Sequence, residues 1–283
     1  MPNGNNRIER DPPDPVAAMS ELTVLETTPP ADTEFIGKRL IVLDTVGSTN
    51  DYASSLVQRG EAGEGTVIFT EEQTGGRGRF GHAWYAPRGT SILMSAVITP
   101  PISAEQIPAV TAIGALAVVE AIREEFGLDA KVRWPNDAVI DHLKFAGVLA
   151  RAERFGRPGQ CFILGIGLNV NVDRRDLPKD FAETATSLKV KLGAEVSRER
   201  VARALLSRLD RWYRKLKLER FDDIEDNLRG YSSLTGRTVT LECRGKQRTG
   251  TVIGLSLFQG LQLRLSDYTT GFFPESLTTL ISK

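Results

Sequence analysis

The chain has 283 residues, 41% of them hydrophobic, with 36 Lys plus Arg balanced by 36 Asp plus Glu. That length allows one large domain with a small appendage around a sizeable core. The zero formal net charge argues against a surface coated in cations for nucleic acid, and no apolar run approaches the roughly 18 residues of a membrane span.

Residues 1–35 carry Pro2, Pro12, Pro13, Pro15, Pro29 and Pro30 among polar side chains, so a disordered leader is expected there. It lacks the apolar core of a secretion signal. RLIVLDTV, from Arg39 to Val46, reads as a strand. In GSTNDYASSLVQRG, Ser48 with Asp51 matches a capping box, Ala53, Leu56 and Val57 give a helical stripe, and Gly60 supplies a stop. Strands are expected at 66–70 and 91–99, on either side of a Gly/Arg stretch. Residues 104–126 read as a helix closed by Gly127, followed by strands at 131–134, 144–152 and 161–172. Ser197 can cap a helix in which Val201, Leu205, Leu209, Trp212 and Leu216 recur at helical spacing, and a short helix follows at 220–229. From about residue 234, short alternating runs between turn residues predict a small antiparallel β-barrel. The main domain reads as α+β and not as a doubly wound sheet. Three units are therefore expected: a leader (1–35), an α+β domain (36–232) and a small barrel (233–283).

Two cysteines without paired spacing, Cys161 and Cys243, fit a reducing cytosol. His82 and His142 lie far apart, which disfavours a histidine metal site.

In TEEQTGGRGRFGHAWYAPRGTS, Gly76, Gly78 and Gly81 satisfy G-x-G-x-x-G. A dinucleotide fingerprint needs a strand running straight into the glycines, a helix directly after them and an acid about 20 residues on. Here EEQTG intervenes, a proline and a strand-like run follow, and the place of the acid reads AVITPPI. No lysine follows the glycines as a phosphate loop requires. The residue types still suit an anion: glycines let backbone come close, and Arg77 and Arg79 offer planar cationic forks. Taken alone, the hexamer also suits a solvated surface loop.

Two more stretches bear on the choice. In KVRWPNDAVIDHLKFAGVLAR, Pro135 bars Trp134 from helical geometry and Asn136-Asp137 is turn chemistry. A hairpin with a buried Trp134 accounts for most of it but leaves Lys144, just before FAGVLA, unexplained. In CFILGIGLNVNV, Gly165 and Gly167 interrupt an apolar strand, which marks a bulge or a close approach to the backbone.

GSTN at 47–50, EEQTGGRGRFG at 71–81, RWPND at 133–137, KFAGVL at 144–149 and GIGLNVN at 165–171 together resemble bacterial biotin protein ligase, in order and spacing. The resemblance implies an α+β catalytic domain of the biotin/lipoate ligase type with a mixed sheet, followed by a small Src-homology-like β-barrel. It implies two steps. Biotin's carboxylate attacks the α-phosphate of Mg-ATP, giving biotinyl-5'-AMP, and a lysine of a biotin carboxyl carrier domain, as in acetyl-CoA carboxylase, then takes the biotinyl group. Ser48, Thr49, Asn50, Gln73, Gly76, Gly78 and Gly147 are expected around biotin. Arg77 and Arg79 are expected on carboxyl and phosphate oxygens, and Lys144 where carboxylate meets α-phosphate. Asp137 is expected to orient the reacting groups, metal or incoming amine. Trp84, Asn136 and Asn169 are expected on the nucleotide side with Arg79, and Mg2+ is expected to arrive with ATP and not to be held by the protein alone. The leader is too short for the DNA-binding domain of the ligase-repressors, so a ligase-only, cytoplasmic enzyme without DNA or membrane partners is expected, as a monomer or a homodimer. The family loop usually reads G-R-G-R-R-G-R, and Phe80 and His82 replace its third and last arginines. A lipoate–protein ligase or octanoyltransferase of the same fold, and a non-catalytic biotin-binding module, are the alternatives. RWPND, the arginine loop and the barrel argue against the first.

Overall fold

The computed structural model describes residues 25–27, 32–153, 160–177 and 179–282. Eight strands form one mixed sheet: β1 (Leu25–Thr27), β2 (Arg39–Val46), β3 (Thr66–Gln73), β4 (Ser91–Ile98), β5 (Lys131–Arg133), β6 (Asp137–Ile140), β7 (Leu143–Glu153) and β8 (Cys161–Asn169). Their spatial order is β1-β2-β3-β4-β8-β7-β6-β5. Only β2 and β3 run parallel; every other neighbouring pair is antiparallel. A parallel pair needs a crossover, and α1 (Thr49–Gln58) supplies it. Its Tyr52, Ala53 and Leu56 pack with Ile41, Leu43, Ile68, Val97 and Ile163 on one face of the sheet.

The opposite face is covered by α2 (Ile107–Phe126), with α4 (Arg198–Lys217) packed against it. Residues Ala109–Ile122 of α2 are all buried, because the helix lies between sheet and α4. A short turn precedes it, and the whole stretch Ala104–Phe126 is long and apolar enough to cross a membrane, but its burial in the fold accounts for that composition. Gly127 ends it with a left-handed φ of 68°. Ser197 caps α4 by accepting the Arg200 N–H at 3.2 Å, as its position predicts. Asp210, buried on α4, accepts the N–H groups of Phe35 and Ile36 at 2.6 and 2.8 Å, tying the start of the main domain to this helix.

Two short helices, α3 (Leu188–Leu192) and α5 (Phe221–Gly230), complete the main unit. Beyond it, β9 (Thr238–Cys243), β10 (Lys246–Ser256), β11 (Gly260–Leu265), β12 (Thr270–Phe273) and β13 (Thr278–Ser282) form a barrel-like antiparallel unit ordered β12-β11-β10-β9-β13. Val239, Leu241, Val252, Leu261 and Leu263 fill its interior.

The elements correct the sequence expectations in several places. Ser48 stands at the N-cap of α1 but makes no side-chain cap bond; Asp51 instead pairs with Arg77 and Arg151, two cations that outcompete a helix N-terminus for its charge. Strand β3 continues through EEQ to Gln73, carried by its pairing with β2. Most of the expected leader, residues 1–24 and 28–31, lies outside the described residues, but Leu25–Thr27 pairs with β2 and Phe35 packs against the core.

Candidate active site

A cavity of about 570 Å³ opens where the loop after β3, the β5–β6 hairpin, the glycines of β7 and β8, and the end of β13 meet. Its polar wall is the start of α1. The Gln73 Oε1, at the end of β3, accepts the Thr49 N–H at 2.8 Å and lies 3.1 Å from the Thr49 hydroxyl. Asn50 donates through Nδ2 to the Leu149 carbonyl of β7 at 3.2 Å. Ser95 of β4, fully buried, places its Oγ 2.7 Å from Thr49 Oγ1 and 2.6 Å from Asn50 Oδ1. Its cross-strand partner is Gly165. A β-carbon at Gly165 would stand 2.4 Å from Asn50 Oδ1, so only glycine lets that amide lie on the sheet.

The next cross-strand pair is glycine on both strands, Gly147 opposite Gly167. The Trp84 indole lies across them. A β-carbon at Gly167 would be 2.5 Å from Trp84 Cε2, and one at Gly147 would be 3.1 Å from Cζ3. The close approach inferred from the strand glycines is thus made by Asn50 and Trp84. The indole Nε1 is buried without a hydrogen-bond partner.

Lys144 reaches the cavity because of a register shift. Asp137 pairs with Gly147 and Ala138 with Ala146, but Val139 pairs with Lys144, leaving Phe145 as the extra residue. Such a bulge re-aims the following side chains. Phe145 enters the core, fully buried, and Lys144 turns to the cavity. Its Nζ stands 2.6 Å from Asp137 Oδ1 and 5.5 Å from the centre of the Trp84 ring. The other Asp137 oxygen accepts from Arg133 Nη2 at 2.7 Å, so one carboxylate bridges two cations. Arg133 and Asp137 are directly opposed on β5 and β6. The backbone on both sides of Lys144 is also pinned: its N–H donates to the Thr184 carbonyl and its carbonyl accepts from Thr186, each at 2.8 Å.

The glycine loop leads into no helix. After Gly78 it makes a single 3-10 turn, Arg79–Gly81, in which Phe80 takes a φ of 54° and Gly81 one of 78°. Arg77 is ion-paired with Asp51. Arg79 lies 4.7 Å from the Phe80 ring centre and donates to the carbonyls of Glu275 and Thr278 in the C-terminal unit. Burial pulls the Arg79 guanidinium below its ordinary range, against the charges of Glu275 and Asp137. Burial also pushes the Glu275 carboxyl up to about 7, with the Arg79 charge pulling the other way.

Of the expected site residues, Ser48, Thr49, Asn50, Gln73, Arg77, Gly78, Arg79, Trp84, Asn136, Asp137, Lys144 and Gly147 line this one cavity. Gly76 stands behind it, against Gln73 and the Trp84 carbonyl. Asn169 does not line it: its amide Nδ2 donates to Thr186, which turns the side chain into the fold. The amide of Asn136 is likewise engaged, donating to the Val148 carbonyl at 2.7 Å. Residues not singled out from the sequence also stand here: Arg133, Phe181 and Thr184, and Thr279–Ile281 of the last strand. Arg133 sat in plain view at the head of RWPND; the others carry no local signal, because distant segments bring them in.

The model of the biotin/lipoate A/B protein ligase family matches residues 42–169. The bifunctional ligase/repressor BirA of Bacillus subtilis (strain 168) is 32% identical over 225 residues, which span 80% of this chain and 68% of that protein. The chain belongs to the biotin/lipoate protein ligase family. The biotin–[acetyl-CoA-carboxylase] ligase of Mycobacterium tuberculosis is 32% identical over 199 residues, covering 64% of this chain and 70% of that one. Among solved structures, the biotin protein ligase of Aquifex aeolicus in complex with biotin and ATP superposes with a TM-score of 0.75 at 27% identity, over 87% of this chain and all of that one. The family's mixed sheet and the five-stranded C-terminal unit therefore agree with the α+β expectation.

Proposed function

We propose that this chain is a biotin–protein ligase, activating biotin with ATP to biotinyl-5'-AMP and passing the biotinyl group to a lysine of a carrier domain. The observation that supports it best is the meeting, in one cavity of ligand size, of a polar wall at Thr49 and Gln73 with a cationic wall at Lys144 and Arg79. In the first step a carboxylate oxygen of biotin bonds to the α-phosphorus, and the bond to the pyrophosphate oxygen breaks. In the second, a neutral lysine amine bonds to the acyl carbon and releases one proton to solvent, the acyl–oxygen bond breaks, and AMP leaves with the electron pair. Both steps gather negative charge on phosphoryl oxygens, where fixed cations supply most of the stabilisation. Lys144, held by Asp137, is the point charge between carboxylate and phosphate. Arg77 and Arg79 exchange their present partners for ligand oxygens, and Trp84 offers its face to the nucleotide. ATP enters as its magnesium complex, the metal belonging to the substrate. Residues 36–232 form the catalytic domain and 233–283 the barrel that completes its rim.

The partner proposed is a biotin carboxyl carrier domain, of acetyl-CoA carboxylase or a related carboxylase, in the cytoplasm. Incubation with biotin, Mg-ATP and an apo carrier domain tests this by mass spectrometry. The expected result is the addition of one biotinyl group to one lysine. An unmodified carrier, or one modified only by lipoic or octanoic acid, rejects it.

A further inference from the structure

The cations of α4 are engaged within the fold. Arg200, Arg203, Arg208, Arg211 and Arg214 each pair with a carboxylate of α2 or of α4 itself. The C-terminal unit differs. Residues 233–283 carry six Lys and Arg against three Asp and Glu, in a chain whose formal net charge is zero. Three of the six, Arg244, Lys246 and Arg248, stand together on the hairpin that joins β9 to β10. All three are exposed, and none makes an ion pair among the described residues. Glu242, the one acid of the hairpin, stands opposite Gln247 and pairs with none of them. Like charges crowded on one turn repel one another and cost stability, unless a partner of opposite charge meets them.

The place of the hairpin says which partner that is. β9 lies between β10 and β13. Cys243 is opposite Lys246 on one side and Thr278 on the other, and the Arg244 N–H donates to the Leu277 carbonyl at 3.4 Å. The next residues of that last strand, Thr279–Ile281, line the cavity. With strands about 4.8 Å apart, the backbone of Lys246 lies about 10 Å from β13. None of the three cations lines the cavity itself, so they stand beside the site and not in it. A carrier domain enters the site with one lysine while its body stays outside the mouth. A domain of about 100 residues has a radius of gyration of about 13 Å, wide enough to cover mouth and hairpin together. We propose that the β9–β10 hairpin is a docking surface for the carrier domain, Arg244, Lys246 and Arg248 meeting an acidic face beside its target lysine. This rests on the biotin ligase function proposed above. Position at the mouth that a protein must visit favours this partner over a nucleic acid.

The test compares the full chain with a triple variant, Arg244→Asn, Lys246→Gln and Arg248→Gln. Asparagine suits the left-handed φ of 52° at position 244. Biotin-dependent exchange of pyrophosphate into ATP and transfer of biotin to hydroxylamine, which has no face to dock, should match the parent. The KM for an apo carrier domain should rise about 5- to 50-fold, the worth of three exposed ion pairs. The kcat/KM of the parent for the carrier should fall as sodium chloride rises from 50 to about 300 mM, and that of the variant should fall less. A carrier KM and a salt dependence equal to the parent's overturn the proposal, and duplex DNA bound by the parent but not by the variant would then assign the hairpin to nucleic acid. A parallel loss of exchange and of transfer to hydroxylamine overturns it too, since the cations would then serve the chemistry and not the docking. A parent that shows no biotin-dependent exchange, or leaves the carrier unmodified, rejects the ligase function itself and this proposal with it.

Discussion

At the residue scale the site turns on one carboxylate between two cations. Asp137 takes Arg133 on one oxygen and Lys144 on the other, and both lysine and aspartate are largely withdrawn from water. Replacing Lys144 by methionine keeps the stem and removes the charge. Adenylate formation should then slow about 100- to 1,000-fold, the scale of removing one preorganised electrostatic donor, while thermal unfolding stays within a few degrees of the parent. Single-turnover adenylation checks this, and an unchanged rate removes Lys144 from the catalytic group. Lys144 was legible in the sequence because a lysine at the head of an apolar strand asks for a reason. Arg133 was not, because a hairpin with turn chemistry already accounted for RWPND. Ser95 was hidden in SILMSAVI, where a small polar residue in a buried strand looks like packing. Asn169 was picked out by its place in GIGLNVN, and the structure holds its amide Nδ2 on the Thr186 carbonyl, outside the cavity lining.

Among the elements, β7 and β8 form the site by what they lack. The facing glycines Gly147 and Gly167 clear the sheet surface for Trp84. Alanine at Gly167 fits strand backbone, but its methyl would meet the indole at 2.5 Å, so the ring must move and the sheet need not. We expect Gly167→Ala to fold with unchanged far-UV circular dichroism, a red-shifted tryptophan emission, and at least about tenfold weaker nucleotide binding. The tenfold figure corresponds to about 1.4 kcal/mol, within the range that stacking between two aromatic rings supplies. Emission identical to the parent's contradicts the placement of Trp84. The long elements were legible from period alone: α2 and α4 in their helical stripes, β4 and β8 in their apolar runs. Two of the short ones were not. β6 and α3 hold four and five residues, too few to display a period, and they form because neighbours pair with or cap them. The capping-box match at Ser48 failed because Asp51 found arginines brought from 26 and 100 residues away.

For the whole molecule, the contact that ties the glycine loop to the C-terminal unit is Arg79 on the carbonyls of Glu275 and Thr278. Beside it, burial raises the Glu275 carboxyl from 4.5 to about 7. A carboxyl raised on folding contributes stability that is fully present below its unfolded value and lost as pH rises through the folded one. The parent should therefore lose stability between about pH 4.5 and 7 relative to Glu275→Gln. Melting curves on either side of that window, in acetate and in a mildly alkaline buffer, check it. The variant's advantage in Tm should be larger in the alkaline buffer, and an advantage independent of pH contradicts the burial of this carboxyl. None of this was readable locally, since Arg79 and Glu275 stand 196 residues apart and a small barrel announces its strands but not its neighbour. The central claim, that these two units enclose a site that activates biotin as an adenylate, is tested most directly by isotope exchange between pyrophosphate and ATP. Exchange that requires biotin and vanishes in its absence is the predicted result. Exchange that proceeds without biotin, or with lipoic or octanoic acid in its place while biotin supports none, would contradict it.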